Sequence, residues 1–87
     1  MNQYNSSTTV NRTLAVGLTW WDDSAKRTTA QKVDRAAKRF IKLHGFEPNL
    51  VYCNPQDCDG TTHPTITIKP ARSVRPHNFY LCIGGAA

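Results

Sequence analysis

Residues 24–45, SAKRTTAQKVDRAAKRFIKLHG, decide the fold. Val33, Ala36, Ala37, Phe40, Ile41 and His44 recur at spacings of three and four. At about 100° per residue they line one side of a helix, with Ala30 and Leu43 flanking them. Lys32, Arg35, Lys38, Arg39 and Lys42 fall on the opposite side. Asp22-Asp23-Ser24 marks the start. Asp23 or Ser24 accepts a hydrogen bond from the free N–H groups of the first turn, and the acidic pair suits the positive end of the helix dipole. Gly45 supplies the left-handed residue that ends the helix, and Pro48 blocks its continuation.

The flanking segments alternate with the period of strands. Leu14, Val16, Leu18 and Trp20 share one face of a strand over residues 10–21, and Thr19 and Trp21 share the other. Gly17 weakens that strand or marks a bulge. Leu50-Val51-Tyr52-Cys53 is a short apolar run suited to a central strand buried on both faces. Asn54-Pro55 breaks it, and residues 56–64 read as a turn-rich loop. Residues 65–69 form a third strand with Ile66 and Ile68 inward. Residues 70–76 turn the chain, and residues 78–83 form the last strand, with Phe79, Leu81 and Ile83 on one face. Residues 1–9 read as a flexible arm, residues 10–84 as one α/β domain and residues 85–87 as a frayed end.

The order β-α-β-β-β, with one long helix for four strands, predicts an α+β fold, a two-layer α/β sandwich on a mixed sheet. A parallel first pair of strands would cross over through the helix in the right-handed sense. The last two strands are expected to form an antiparallel, hairpin-like pair. The helix then covers the face bearing Leu14, Val16, Leu18, Ile66, Ile68, Phe79 and Leu81. The other face, with Trp21, Tyr80, Cys82, Thr65, Thr67 and Lys69, is left open for a partner or another subunit.

Eighty-seven residues make one small domain. The apolar runs are too short to span a bilayer, and the opening residues lack the basic-then-apolar pattern of a secretory signal, so neither membrane nor export is expected. Three cysteines, Cys53, Cys58 and Cys82, are an odd count that fits free thiols in a reducing, cytoplasmic setting. The net charge of +5 favours anionic partners. Seven of the eleven basic residues, including Lys26 and Arg27, lie in the helical stretch.

Several groups of residues are candidates for function. The line of Lys32, Arg35, Lys38, Arg39 and Lys42 suits nucleic-acid phosphates, although a solvated helix face accounts for the same pattern. Lys69, Arg72, Arg75 and His77 surround the last loop, where two arginines can grip a phosphate or carboxylate or simply keep a strand edge soluble. Cys53, Cys58 and His63, with His77 and Cys82 further on, have zinc-binding chemistry but not the paired close spacing of structural zinc sites, so no metal is expected. Carboxylates paired on an ordered element, a nucleophile elbow and a phosphate-cradling glycine loop are all missing, so neither an enzyme nor a cofactor is expected. His44 reads as a helix-end residue packed beside Phe40. Of Trp20 and Trp21, alternation sends one to the core and leaves the other, Trp21, on the open face as a partner anchor or a stacking platform for bases.

Residues 48–57, PNLVYCNPQD, with Ile66-Thr67-Ile68-Lys69 and Phe79-Tyr80-Leu81, loosely resemble a block of phage major capsid proteins of the HK97-like type. The likeness covers less than half the chain and implies no site residue. The residues themselves point to a small non-enzymatic binding or assembly module. It would use the open sheet face or an edge, with Trp21 and Tyr80 as contacts, for self-association or a protein partner. The alternative is a nucleic-acid-binding accessory protein that uses the basic helix face and the loop of Arg72 and Arg75.

Overall fold

The computed structural model describes residues 17–58 and 60–84. The arm over residues 1–9, the first part of the 10–21 strand with Leu14 and Val16, and the end over residues 85–87 lie outside them. The elements run β1 (Gly17–Trp21), α1 (Thr29–His44), β2 (Leu50–Cys53), a single turn α2 (Pro55–Cys58), β3 (Thr67–Pro70) and β4 (Asn78–Cys82). One long helix packs on a four-stranded mixed sheet, the α+β arrangement read from the residues.

The helix is capped four residues later than Ser24. Its cap is Thr28, whose hydroxyl accepts from Gln31 N while the Gln31 side chain accepts from Thr28 N, a reciprocal capping box. Asp22 is drawn off instead: it accepts from Ser24 N at 3.0 Å and binds Arg27 at 2.9 Å, closing a turn ahead of the helix. Gly45 ends the helix at φ 83°, its N–H bonded to the Ile41 carbonyl. Val33, Ala36, Ala37 and Phe40 are buried, as their spacing requires, but Ile41 and Leu43 are exposed. Lys32 is a correction as well. It lies one turn before Ala36 at the rim of the apolar side and is only 8% exposed, so it does not belong to the solvent-facing cations.

The sheet order is β1-β4-β2-β3. β4 runs antiparallel to both neighbours, and β3 runs parallel to β2. β1 and β2 are therefore parallel, but β4 lies between them. The expected hairpin-like pairing of the last two strands is not formed, because β2 separates β3 from β4. The connection over residues 71–77 steps across the end of β2 and is tied there: Ala71 N donates to Cys53 O at 2.8 Å, and Asn54 Nδ2 donates to Val74 O at 2.9 Å. Crossing one intervening strand spans about 10 Å, within reach of a seven-residue connection.

The core lies between α1 and one face of the sheet. Val33, Ala36, Ala37 and Phe40 meet Val51, Cys53, Phe79 and Leu81, with Leu18, Trp20 and Ile68 packed around them. Phe40, Phe79, Leu81 and Val51 are fully buried. Burying a large apolar side chain stabilises by roughly 1.5–3 kcal/mol, so these four carry much of the fold. Cys53 and Cys58 are joined by a disulfide, which corrects the expectation of three free thiols. It also removes the ground for a reducing, cytoplasmic setting. The bridge spans α2, which replaces loop at the start of residues 56–64. Asn54 caps this turn, accepting from Gln56 N, and Pro55 takes the first helical position.

Candidate functional site

Strand alternation that sends Val51, Cys53, Phe79 and Leu81 into the core sends their neighbours to the other side of the sheet. The register then puts Thr19, Tyr80, Tyr52 and Lys69 in one row across β1, β4, β2 and β3. A second row holds Gly17, Cys82, Leu50 and Thr67. Trp21 stands opposite Asn78 at the end of the same face and is 61% exposed. Among the described elements, no helix covers this face.

Two tyrosines thus stand side by side on the two central strands. The unbroken apolar run Leu50–Cys53 predicts burial on both sides and gives Tyr52 no place on this face. In the structure Tyr52 is half-buried, and Leu50 is covered from the open side by Gly84. The Tyr80 ring leans diagonally over Gly17, where a β-carbon would lie 2.5 Å from its hydroxyl oxygen. Gly17 therefore marks a close approach and not a bulge, since the missing side chain makes the bed on which the ring rests.

Shallow clefts flank the row. One, of about 320 Å³, is lined by Asn49, Leu50, Thr65, Thr67, Lys69 and Gly84. The other, of about 250 Å³, lies between Thr19 and Tyr80 and the loop residues Ser73, Val74, Arg75 and Asn78. Lys69 and Arg75 each bring an exposed cation to this surface. None of the four described strands contains an aspartate or glutamate. Arg72 is exposed nearby in the same loop.

That loop is held at both ends. Besides the Asn54 tie, Asp57 Oδ2 accepts from His77 N at 2.8 Å, and Asp22 N donates to His77 O at 2.9 Å. His77 adopts φ 70°, a left-handed conformation uncommon for residues other than glycine, held here by the hydrogen bonds at its N–H and its carbonyl. Thr29 in turn donates its hydroxyl to the Asp57 carbonyl, linking α2 to the start of α1. Arg75 therefore projects from a fixed frame. Arg27 beside Asp22 holds that carboxyl below the usual carboxylate range, so the pair is charged at neutral pH.

The remaining candidates are spread apart. Arg35, Lys38, Arg39 and Lys42 are exposed on α1, on the side of the molecule away from the bare face, and form no ion pair among the described residues. Cys53 and Cys58 are bonded to each other, and both His63 ring nitrogens are engaged. Nδ1 accepts from Thr65 N and Ile66 N at 3.2 Å, which places the proton on Nε2, 2.6 Å from Asp34. His63 thus clamps the segment before β3 to the helix. His44 rests against Phe40, ring centroids 4.5 Å apart, and its Nε2 lies 3.2 Å from the Gly17 carbonyl. Cys82 is the one free thiol among the described residues, and burial pushes its pKa up.

Comparison with protein-family models, with curated proteins and with solved structures finds no match to this chain. The likeness to phage capsid proteins finds no support there. No helix among the described residues is long and apolar enough to cross a membrane.

Proposed function

We propose that this protein is a small non-enzymatic binding module whose working surface is the bare face of the sheet. The observation that carries this reading is the row Thr19, Tyr80, Tyr52 and Lys69, which no described helix covers, with Trp21 exposed at its end. Aromatic side chains offer large contact area for little ordering cost, and they anchor interfaces when no core needs them. The outer edge of β3 is a poorer contact. Thr67 N and Ala71 N donate inward to β2, so by alternation Pro70, which has no N–H, faces outward.

Photo-crosslinking tests the reading. A photo-reactive phenylalanine replaces either Trp21 or Lys38 in the full chain, which is then irradiated in living cells. Position 21 is expected to give discrete adducts and position 38 none. Adducts from position 38 alone would sink the reading.

A second reading rests on Arg35, Lys38, Arg39 and Lys42, four exposed cations without ion-pair partners among the described residues. On their own they suit a nucleic-acid backbone; Arg72 and Arg75, expected to share that contact, lie instead toward the bare face, with Arg75 lining the cleft beside Tyr80. Charge reversal at Arg35, Arg39 and Lys42 would then abolish a binding that already weakens steeply with salt.

A further inference from the structure

We infer that the partner of the bare face is a single-stranded nucleic acid, laid across the sheet with bases on the tyrosines and phosphates on the flanking cations. This rests on the bare face being the working surface, and it names the chemistry that the surface fits.

Three features of that surface agree on such a ligand. Tyr80 and Tyr52 are adjacent on the central strands, and Trp21 stands at the end of the face, so flat π surfaces follow one another across the sheet. Bases stack on such rings whatever their sequence, because every base has a π face. The cations sit at the two sides of this aromatic row: Lys69 on β3, and Arg75 beyond Tyr80. A strand that stacks on the row therefore brings its backbone to positive charge on either side. The hydroxyls of Thr19, Ser73 and Thr67, all exposed, add donors for phosphate or sugar oxygens.

Charge argues against the other occupant, a second copy of this chain. Two copies meeting face to face would set Lys69 and Arg75 against a surface whose strands offer no carboxylate. Like charges would be brought together without compensation, which disfavours the pairing. A duplex fits poorly as well. Its bases are stacked on one another and present no free π face to a flat sheet.

The fixing of the two key groups supports a preformed site. Tyr80 is held by its rest on Gly17, and the Arg75 loop is tied by Asn54 and Asp57. Preorganisation lowers the ordering cost of binding.

The test uses the purified full chain with fluorescently labelled single-stranded DNA and RNA oligonucleotides of mixed sequence, and with the matching duplexes. Single strands are expected to bind more tightly than duplexes. If Lys69, Arg72 and Arg75 each neutralise a phosphate, the slope of log affinity against log salt is about −2. Tyr52→Leu with Tyr80→Leu removes the π faces and keeps apolar bulk, and should raise Kd about tenfold or more. Binding should also quench the fluorescence of Trp21, assigned with Trp21→Phe. If the tyrosine variants lose the folded far-UV spectrum, Lys69→Glu with Arg75→Glu carries the same test, because both side chains are exposed.

Equal binding of single strands and duplexes, lost on Arg35→Glu, Arg39→Glu and Lys42→Glu but indifferent to the tyrosines, would overturn both this inference and the bare-face reading. Absence of oligonucleotide binding, with a solution mass that rises with concentration and falls back on Tyr80→Glu, would overturn the inference alone. In that case the bare face stands as a self-association surface. Neither binding nor association would overturn the inference, and crosslinks from position 21 then decide the bare-face reading by themselves.

Discussion

The two faces of the sheet are built from the same strands by alternate residues, yet they have opposite characters. On the covered face Leu18, Trp20, Phe79, Leu81, Val51, Cys53 and Ile68 meet the apolar side of α1. On the bare face Thr19, Trp21, Tyr80, Tyr52, Thr67 and Lys69 meet no described element. The first face is mostly aliphatic, with Trp20 and Phe79 as its aromatic members, the composition of a packed interior. The second is tyrosine, threonine and cation, groups that combine contact area with hydrogen bonding and charge. One layer of helix can close one face only, so alternation divides the strand residues between the core and the open side.

The sharpest way to break this comparison is to empty the covered face. Phe79→Ala removes a fully buried ring and should cost about 3–5 kcal/mol, a large part of the stability of a domain this small, measured by urea denaturation. A loss below 1 kcal/mol would mean that the core is not where the packing puts it. Gly17→Ala probes the bare face at its tightest point. The added carbon meets the Tyr80 ring, and the expected cost is about 1–3 kcal/mol. The same substitution in a Tyr80→Ala background should be much milder, and equal costs in both backgrounds would show that the ring does not rest there.

Asp22→Asn weakens the turn before the helix by about 1–2 kcal/mol, because Ser24 N and Arg27 lose a charged acceptor. The sign of its pH dependence follows from the lowered pKa. The stabilisation by Asp22 is fully present above the ordinary carboxylate value of 3.8 and is lost as pH falls through the lower folded value. Wild type and Asp22→Asn should therefore differ by a constant amount near neutrality and converge in acid. A difference that grows in acid would contradict the pairing with Arg27. Smallest of all is Trp21→Ala. With the side chain mostly in solvent, the change in stability should stay within about 0.5 kcal/mol, while partner binding by the same variant falls.

Much of the covered face was legible in the chain. The three-and-four spacing of Val33, Ala36, Ala37 and Phe40, and the alternation of Phe79 and Leu81, each encode a buried side within a few consecutive residues. The helix start was misplaced because Asp22, Asp23 and Ser24 compete with Thr28 for one role. The Thr28-x-x-Gln31 spacing was the signal that distinguished them, since only a reciprocal box satisfies two free N–H groups. Asn54-Pro55, which as a strand break predicts only a loop, holds the signal for α2 as well, a cap followed by a proline whose missing N–H costs nothing at that position.

The bare face was half legible. Trp21, Tyr80, Cys82, Thr67 and Lys69 follow from alternation. Tyr52 does not, because an unbroken apolar run carries no period from which to choose a side. Lys32 has a marginal place on the helical wheel, and only packing at the rim decides whether such a side chain is covered.

The sequence by itself determined the local periods: which residues of the helix and of each strand share a side, and where Gly45 and Pro48 stop the helix. These properties depend on backbone geometry over a few residues and need no distant contact. Three-dimensional packing sets the insertion of β4 between β1 and β2, the Cys53–Cys58 bond, the seat of Tyr80 on Gly17 and the place of Arg75 in the same cleft as Tyr80. Each of these depends on pairings between segments far apart in the chain, or on a turn whose form the apolar pattern did not convey. The long loop over residues 71–77 is compatible with a hairpin and with a step across one strand. The choice falls to the step because it places Phe79 and Leu81, both fully buried, at the centre of the sheet under the helix.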